Sequence, residues 1–212
     1  MKNFFKSLLS LLLISAFTFS SNSLFAQSNS DGGNNSEKRT YKKARVLTSK
    51  TAKKVVKVVE ALERQKVVKV PDPENEGKFI EKEEDDPDWN EAKRILTELL
   101  NERADLKSYD RSVMWNYWGY IYFSEEDYDQ AMYSYEQLLK EPEATIPLRT
   151  ASLLTLAQLN LVKANWDKGI RLILQWMDEV EKVTAQSYYL LASAYFQNCL
   201  LYTSPSPRDG NV

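Results

Sequence analysis

Apolar positions along the chain recur mostly at helical spacing. Ala52, Val55, Val56, Val59 and Leu62 fall at i, i+3, i+4, i+7 and i+10, while Lys53, Lys54, Lys57 and Arg64 lie mostly elsewhere on the wheel. This is an amphipathic helix, although so many valines would also suit strands. Three later segments begin alike: Asp88-Trp89-Asn90-Glu91-Ala92, Asp127-Tyr128-Asp129-Gln130-Ala131 and Asn165-Trp166-Asp167-Lys168-Gly169. The leading Asp or Asn can cap a helix by accepting its free N–H groups. Asp88 with Glu91, and Asp127 with Gln130, have the spacing of a capping box. The aromatic residue after the cap and the small residue three further on allow close packing on a preceding helix. Those preceding helices align as well, through Trp115/Trp118/Gly119, Leu153/Leu156/Ala157 and Tyr188/Leu191/Ala192.

Between the first two helices, VVKVPDPENEGKFIEKEEDDP breaks the helical period. Lys66 to Val70 and Lys78 to Lys82 are predicted to pair as a short β-hairpin across the Pro/Gly-rich turn. A sharper reading sets Asp72, Glu74, Glu76, Gly77 and Glu83 at positions 1, 3, 5, 6 and 12 of a calcium-binding loop. Glu in place of Asp/Asn at two positions, Pro73 at the start and flanks that form helices poorly favour a solvated acidic loop. No metal site is expected.

Trp115, Trp118, Gly119, Tyr122, Ala131, Tyr135 and Pro142 follow W-x2-L-G-x2-Y…A-x3-F…P, with Trp118 in the Leu slot. The chain thus resembles the tetratricopeptide repeat (TPR) family, whose unit is a helix-turn-helix of about 34 residues. The helix starts lie 39 and 38 residues apart, so each inter-repeat loop is a few residues longer than in the basic unit. The resemblance implies an all-α fold, a TPR-type α-solenoid of antiparallel helix pairs with about three and a half repeats over residues 40–198. A basic helix from Tyr41 to Lys66 and the helix from Trp89 form a divergent first repeat, with residues 67–87 inserted. The last repeat breaks off, so Leu190, Leu191 and Ala194 are expected to be exposed.

Both ends read as foreign to this fold. In residues 1–26, Lys2 and Lys6 precede an apolar run from Leu8 to Phe19 and a small, polar exit ending at Ala26. This is the pattern of a secretory signal, too short to span a bilayer as a helix; an uncleaved anchor is the competing reading. No Cys lies there to carry a lipid. Residues 27–39 form a Gly/Asn/Ser linker. At the other end, residues 199–212 (CLLYTSPSPRDGNV) resemble translated sequencing-adaptor read-through; a natural disordered tail is the alternative. In the first case Cys199 is foreign and the genuine chain has no cysteine, which suits a secreted repeat protein held by packing alone.

Without Lys2, Lys6, Arg208 and Asp209, 25 basic and 29 acidic residues remain, a net charge near −4 that argues against nucleic-acid binding. From Glu37 to Val70 there are 12 Lys/Arg against three acids, and from Asp72 to Asp105 13 acids against five bases. Two solvated faces that attract each other explain this split; a docking surface for an anionic partner is the second reading. The chain has no histidine, which removes the commonest general base and the commonest zinc ligand. There is no P-loop and no dinucleotide-binding glycine pattern, and the acids Glu125-Glu126-Asp127 belong to a turn. The chain is expected not to be an enzyme and to need no cofactor.

The stripe Trp115, Trp118, Tyr122, Tyr128 and Tyr135 is expected to be core. In the TPR family the partner groove is lined by other positions of the first helix of each repeat. Carried onto this chain, these are Val113, Asn116, Tyr120, Phe123 and Ser124, then Leu154, Gln158 and Leu161, then Gln186, Tyr189 and Phe196. Such a lining, aromatic and rich in amides, suits an extended peptide segment with apolar side chains. It lacks the Lys/Arg set that clamps a terminal carboxylate. Beyond the generic repeat, the stretch from Arg111 to Leu159 resembles exported repeat proteins assigned to TonB energy-transduction systems in marine gammaproteobacteria. That resemblance implies a periplasmic accessory contacting TonB or its partners, touching the membrane only through partners or an uncleaved signal. A periplasmic scaffold for envelope, pilus or peptidoglycan assembly is the alternative.

Overall fold

The computed structural model of the protein describes residues 45–73 and 78–203. The signal of residues 1–26, the linker of 27–39 and the end of the tail lie outside the described residues, as do Glu74, Glu76 and Gly77. Among the described residues there are seven helices and one two-stranded sheet. In order these are α1 (Ser49–Leu62), β1 (Gln65–Pro71), β2 (Phe79–Asp85), α2 (Trp89–Asn101), α3 (Ser108–Ser124), α4 (Tyr128–Leu139), α5 (Ile146–Val162), α6 (Trp166–Glu179) and α7 (Ala185–Thr203). The chain forms two compact units: Val46–Ser152 is one, and Leu153 onward belongs to the other.

In the first unit, α1 starts where Thr48 caps it, its side chain accepting from the Thr51 amide. Asp110 of α3 receives three hydrogen bonds there: from the Thr48 amide (3.0 Å), the Thr48 hydroxyl (2.7 Å) and the Thr51 hydroxyl (3.1 Å). Those donors compensate the burial of a carboxylate that is only 1% exposed. Val58 and Ala61 of α1, Ala92, Ile95, Leu96 and Leu99 of α2, and Met114, Trp118 and Ile121 of α3 form the core. The basic face of α1 meets the acids of α2: Lys50 lies 2.9 Å from Glu102, and Lys54 lies 3.2 Å from Glu98 and 3.4 Å from Glu102. These two lysines follow the first reading of the charge split, faces that attract one another.

The expected helix from Tyr41 to Lys66 is shorter at its C-terminal end. It stops at Leu62, and Lys66 belongs to β1. Arg64 explains the turn out of the helix: it donates to the Asp86 carbonyl at 2.9 Å, the Asp86 carboxylate at 2.8 Å and the Asp88 carboxylate at 3.1 Å. One guanidinium thus fixes both ends of the hairpin against the start of α2. The hairpin itself is present and longer than the sequence indicates, pairing antiparallel from Gln65↔Asp85 to Pro71↔Phe79.

A tight turn, Glu125 to Asp127, joins α3 to α4. Glu126 takes φ 60°, and the Asp127 amide reaches back to the Tyr122 carbonyl at 2.9 Å. The second unit repeats this turn 38 residues on: Ala164 takes φ 60°, and the Asn165 amide reaches the Asn160 carbonyl at 2.8 Å. Both are Schellman-type ends built without glycine. Asp88 and Asp127 cap α2 and α4, accepting from Glu91 at 3.0 Å and Gln130 at 3.2 Å. Asn165 departs from the expected cap. Its side chain makes no cap bond to α6, and its amide group donates to Asn160 Oδ1 at 3.4 Å.

Close approach explains the small residues. A Cβ on Gly119 would lie 2.7 Å from Tyr135 Cζ of α4, so only glycine lets that ring lie on α3. In the second unit Gly169 of α6 packs on Leu161, and Ala157, Leu161, Ile170, Ile173, Leu190 and Ala194 form the core. Leu190 and Ala194 are therefore buried rather than exposed as expected, and Leu191 is partly buried against the same cluster. Helix α7 continues past Asn198 to Thr203.

Candidate functional site

The groove positions carried over from the repeat family do not share one environment. Val113, Gln158 and Leu161 are buried, at 5%, 3% and 1% exposure. For these three the expected surface lining is corrected: Leu161 is core beneath Gly169, and a side chain so enclosed offers a partner no area. Gln158 Oε1 is buried without a hydrogen-bond partner. Asn116, Tyr120, Phe123 and Leu154 are half-buried. Tyr120 lies tilted against Trp89 with ring centroids 6.0 Å apart, and Phe123 against Tyr128 at 6.1 Å. Ser124 is exposed, though its hydroxyl donates to the Tyr120 carbonyl at 3.0 Å. Gln186, Tyr189 and Phe196 are exposed, the last two by 61% and 63%.

Tyr189 and Phe196 belong to one helix face. On α7, Ala185, Tyr188, Tyr189, Ala192, Tyr195 and Phe196 are all exposed, at i, i+3, i+4, i+7, i+10 and i+11. The opposite stripe, Ser187, Leu190 and Ala194, is buried. Across Ala185–Thr203 there is no charged residue. Four aromatic side chains on an uncharged helix form a concentrated apolar surface, of a kind that marks interaction sites. Tyr188 and Tyr195 were not among the expected groove residues. Tyr188 occupies the slot of Trp115, and register alone assigns that slot to core.

The expected core stripe divides in the same way. Trp118 and Tyr135 are buried, whereas Trp115, Tyr122 and Tyr128 are half-buried. Trp118 stacks on Tyr122 with centroids 5.1 Å apart, and Trp115 meets the exposed Tyr133 edge-on at 5.9 Å. Burial pushes the Tyr117 hydroxyl up to about 12 and raises that of Tyr135 further, so both stay neutral at any physiological pH. The charged groups with perturbed ionisation are paired: Glu141 raises Arg111 from a bidentate contact at 2.7 and 2.8 Å, and Lys50 lowers Glu102. These are structural ion pairs.

An open depression of about 620 Å³ in the second unit is lined by Ala164, Asn165, Trp166, Asp167, Lys168, Arg171 and Asn198. Asn198 of α7 donates to Asp167 of α6 at 3.0 Å across it. Its charges are mixed, one carboxylate (Asp167) and two bases (Lys168 and Arg171). Neither protein-family models nor curated proteins gave a match to the chain. Of the calcium-loop residues that are described, Glu83 lies in β2, so a strand stands where such a loop runs into a helix. Among the described residues no group of three acids, cysteines or histidines is placed to hold a metal, and no helix is long and apolar enough to cross a membrane.

Proposed function

We propose that this chain is a non-catalytic TPR-type protein-interaction module of the periplasm, an accessory of a TonB-dependent energy-transduction and uptake system. The observation that carries the reading is the exposed aromatic face of α7, which holds Tyr189 and Phe196 from the family groove together with Tyr188 and Tyr195. Aromatic side chains supply large contact area at low entropic cost and dominate protein-binding hot spots. An extended segment with apolar side chains, or a helix with an apolar face, is the partner such a surface suits. The repeat assignment draws on the equivalent turns at Glu126 and Ala164 and on the close approach at Gly119. The periplasmic setting draws on the signal pattern of residues 1–26, and the absence of catalysis on a chain without histidine.

The test is capture from a gammaproteobacterial periplasm with the tagged protein, followed by identification of what is retained. Recovery of TonB-complex components is the expected outcome. Recovery of cell-wall enzymes with no TonB component would overturn the TonB assignment in favour of an envelope scaffold.

A further inference from the structure

The β-hairpin lies on a different part of the chain from the helical surface and carries its own chemistry. Two hydrogen bonds fix the phase of its ladder. The Asp72 amide donates to the Lys78 carbonyl at 2.9 Å, and the Asp86 amide to the Arg64 carbonyl at 2.8 Å. In the observed register these pairs bracket the ladder, and hydrogen-bonded pairs alternate with open ones between them. Val70↔Ile80, Val68↔Lys82 and Lys66↔Glu84 are therefore the bonded pairs. Phe79, Glu81, Glu83 and Asp85 belong to the open pairs, so their N–H and C=O groups turn outward, away from β1. Among the described residues the sheet has only these two strands, so that outward edge has no strand beside it.

An isolated two-stranded ladder is marginal in water, and an unpaired edge is a template for a further strand. Side chains select the occupant. The outward-turned residues of β2 place Phe79, Glu81, Glu83 and Asp85 on one face, since alternate residues share a side. Lys69 stands opposite Glu81 in β1, but Val67 and Gln65 stand opposite Glu83 and Asp85. Phe79 is 66% exposed.

We propose that β2 accepts a third strand from a partner protein, an extended basic segment with Lys or Arg at three alternate positions followed by an apolar residue. Running antiparallel, its basic residues face Asp85, Glu83 and Glu81 in turn, and its apolar residue faces Phe79. Cross-strand pairs of opposite charge stabilise a ladder and like charges oppose it. That rule disfavours a second copy of β2, which sets acid against acid. The outer edge of β1 is also a poor match: its open-pair residues are Gln65, Val67, Lys69 and Pro71, with one base among them and no N–H on Pro71.

The test uses the full chain and a fluorescently labelled peptide, Lys-Thr-Lys-Thr-Lys-Thr-Phe, titrated by anisotropy at low salt. Saturable binding is expected, weakened about tenfold or more by the double substitution Glu81→Lys with Glu83→Lys. Both positions are exposed, and an unchanged far-UV spectrum confirms that the fold survives. The same peptide N-methylated at its three lysines keeps its charge but loses the donors facing β2, and is expected not to bind. Equal binding of the methylated peptide would reduce the effect to general electrostatic attraction and overturn the proposal. So would an unaltered affinity in the double variant.

Discussion

Helices α3 and α7 carry the same pattern in the same slots but differ in what covers them. On α3, Gly119 is buried so closely under Tyr135 that a methyl group has no room. On α7 the corresponding Ala192 is exposed, with Tyr188, Tyr189, Tyr195 and Phe196 around it. The slots alone therefore do not decide between core and surface. A following helix makes them core, and among the described residues α7 has none on that face. An aromatic residue at such a position contributes to stability in one case and is available to a partner in the other.

The sharpest way to break this comparison is to remove the covering ring. Tyr135→Ala is expected to cost about 3–5 kcal/mol, because it deletes a buried aromatic side chain and leaves a cavity. Tyr188→Ala on the exposed face should change stability by no more than about 0.5 kcal/mol. Equilibrium denaturant unfolding of both variants measures the contrast, and similar losses would remove it. Next in size, Gly119→Ala should cost about 1–3 kcal/mol through overpacking against Tyr135, whereas Ala192→Leu should be nearly neutral.

A smaller effect concerns pH. Burial raises the folded-state ionisation of Tyr135 and Tyr117 above the ordinary tyrosine value of 10.0. Their neutral forms are favoured in the fold, so their contribution is complete below about pH 10 and declines as pH rises above it. Unfolding followed between about pH 9 and 12 should show stability falling, with a shallower slope in Tyr135→Phe. An equal slope in that variant would show that the buried hydroxyl is not responsible.

Much of the architecture is legible in local sequence. Asp88 and Asp127 act as caps, the hairpin forms from Val67, Val68, Val70 and their partners, and Gly119 and Gly169 mark where helices touch. The errors arise where distant residues decide. Valine suits helix and strand alike, and the end of α1 is set by Arg64 meeting Asp86 and Asp88 across the insert. Asn165 matches Asp127 in the alignment, but its amide can donate, and Asn160 takes the bond. Family register places Val113, Gln158 and Leu161 in a groove; packing buries all three. The exposure of Tyr188 and Tyr195 has no sequence signal, because their slots are the ones that α3 gives to Trp115 and Tyr122.

The most direct test of the central claim, that the α7 face binds a partner and does not hold the fold, is capture by the double variant Tyr189→Ala with Phe196→Ala. Its unfolding midpoint should match that of the unaltered protein, while retention of whatever the unaltered protein captures is lost. Undiminished capture, or a loss of stability comparable with that of Tyr135→Ala, would contradict it.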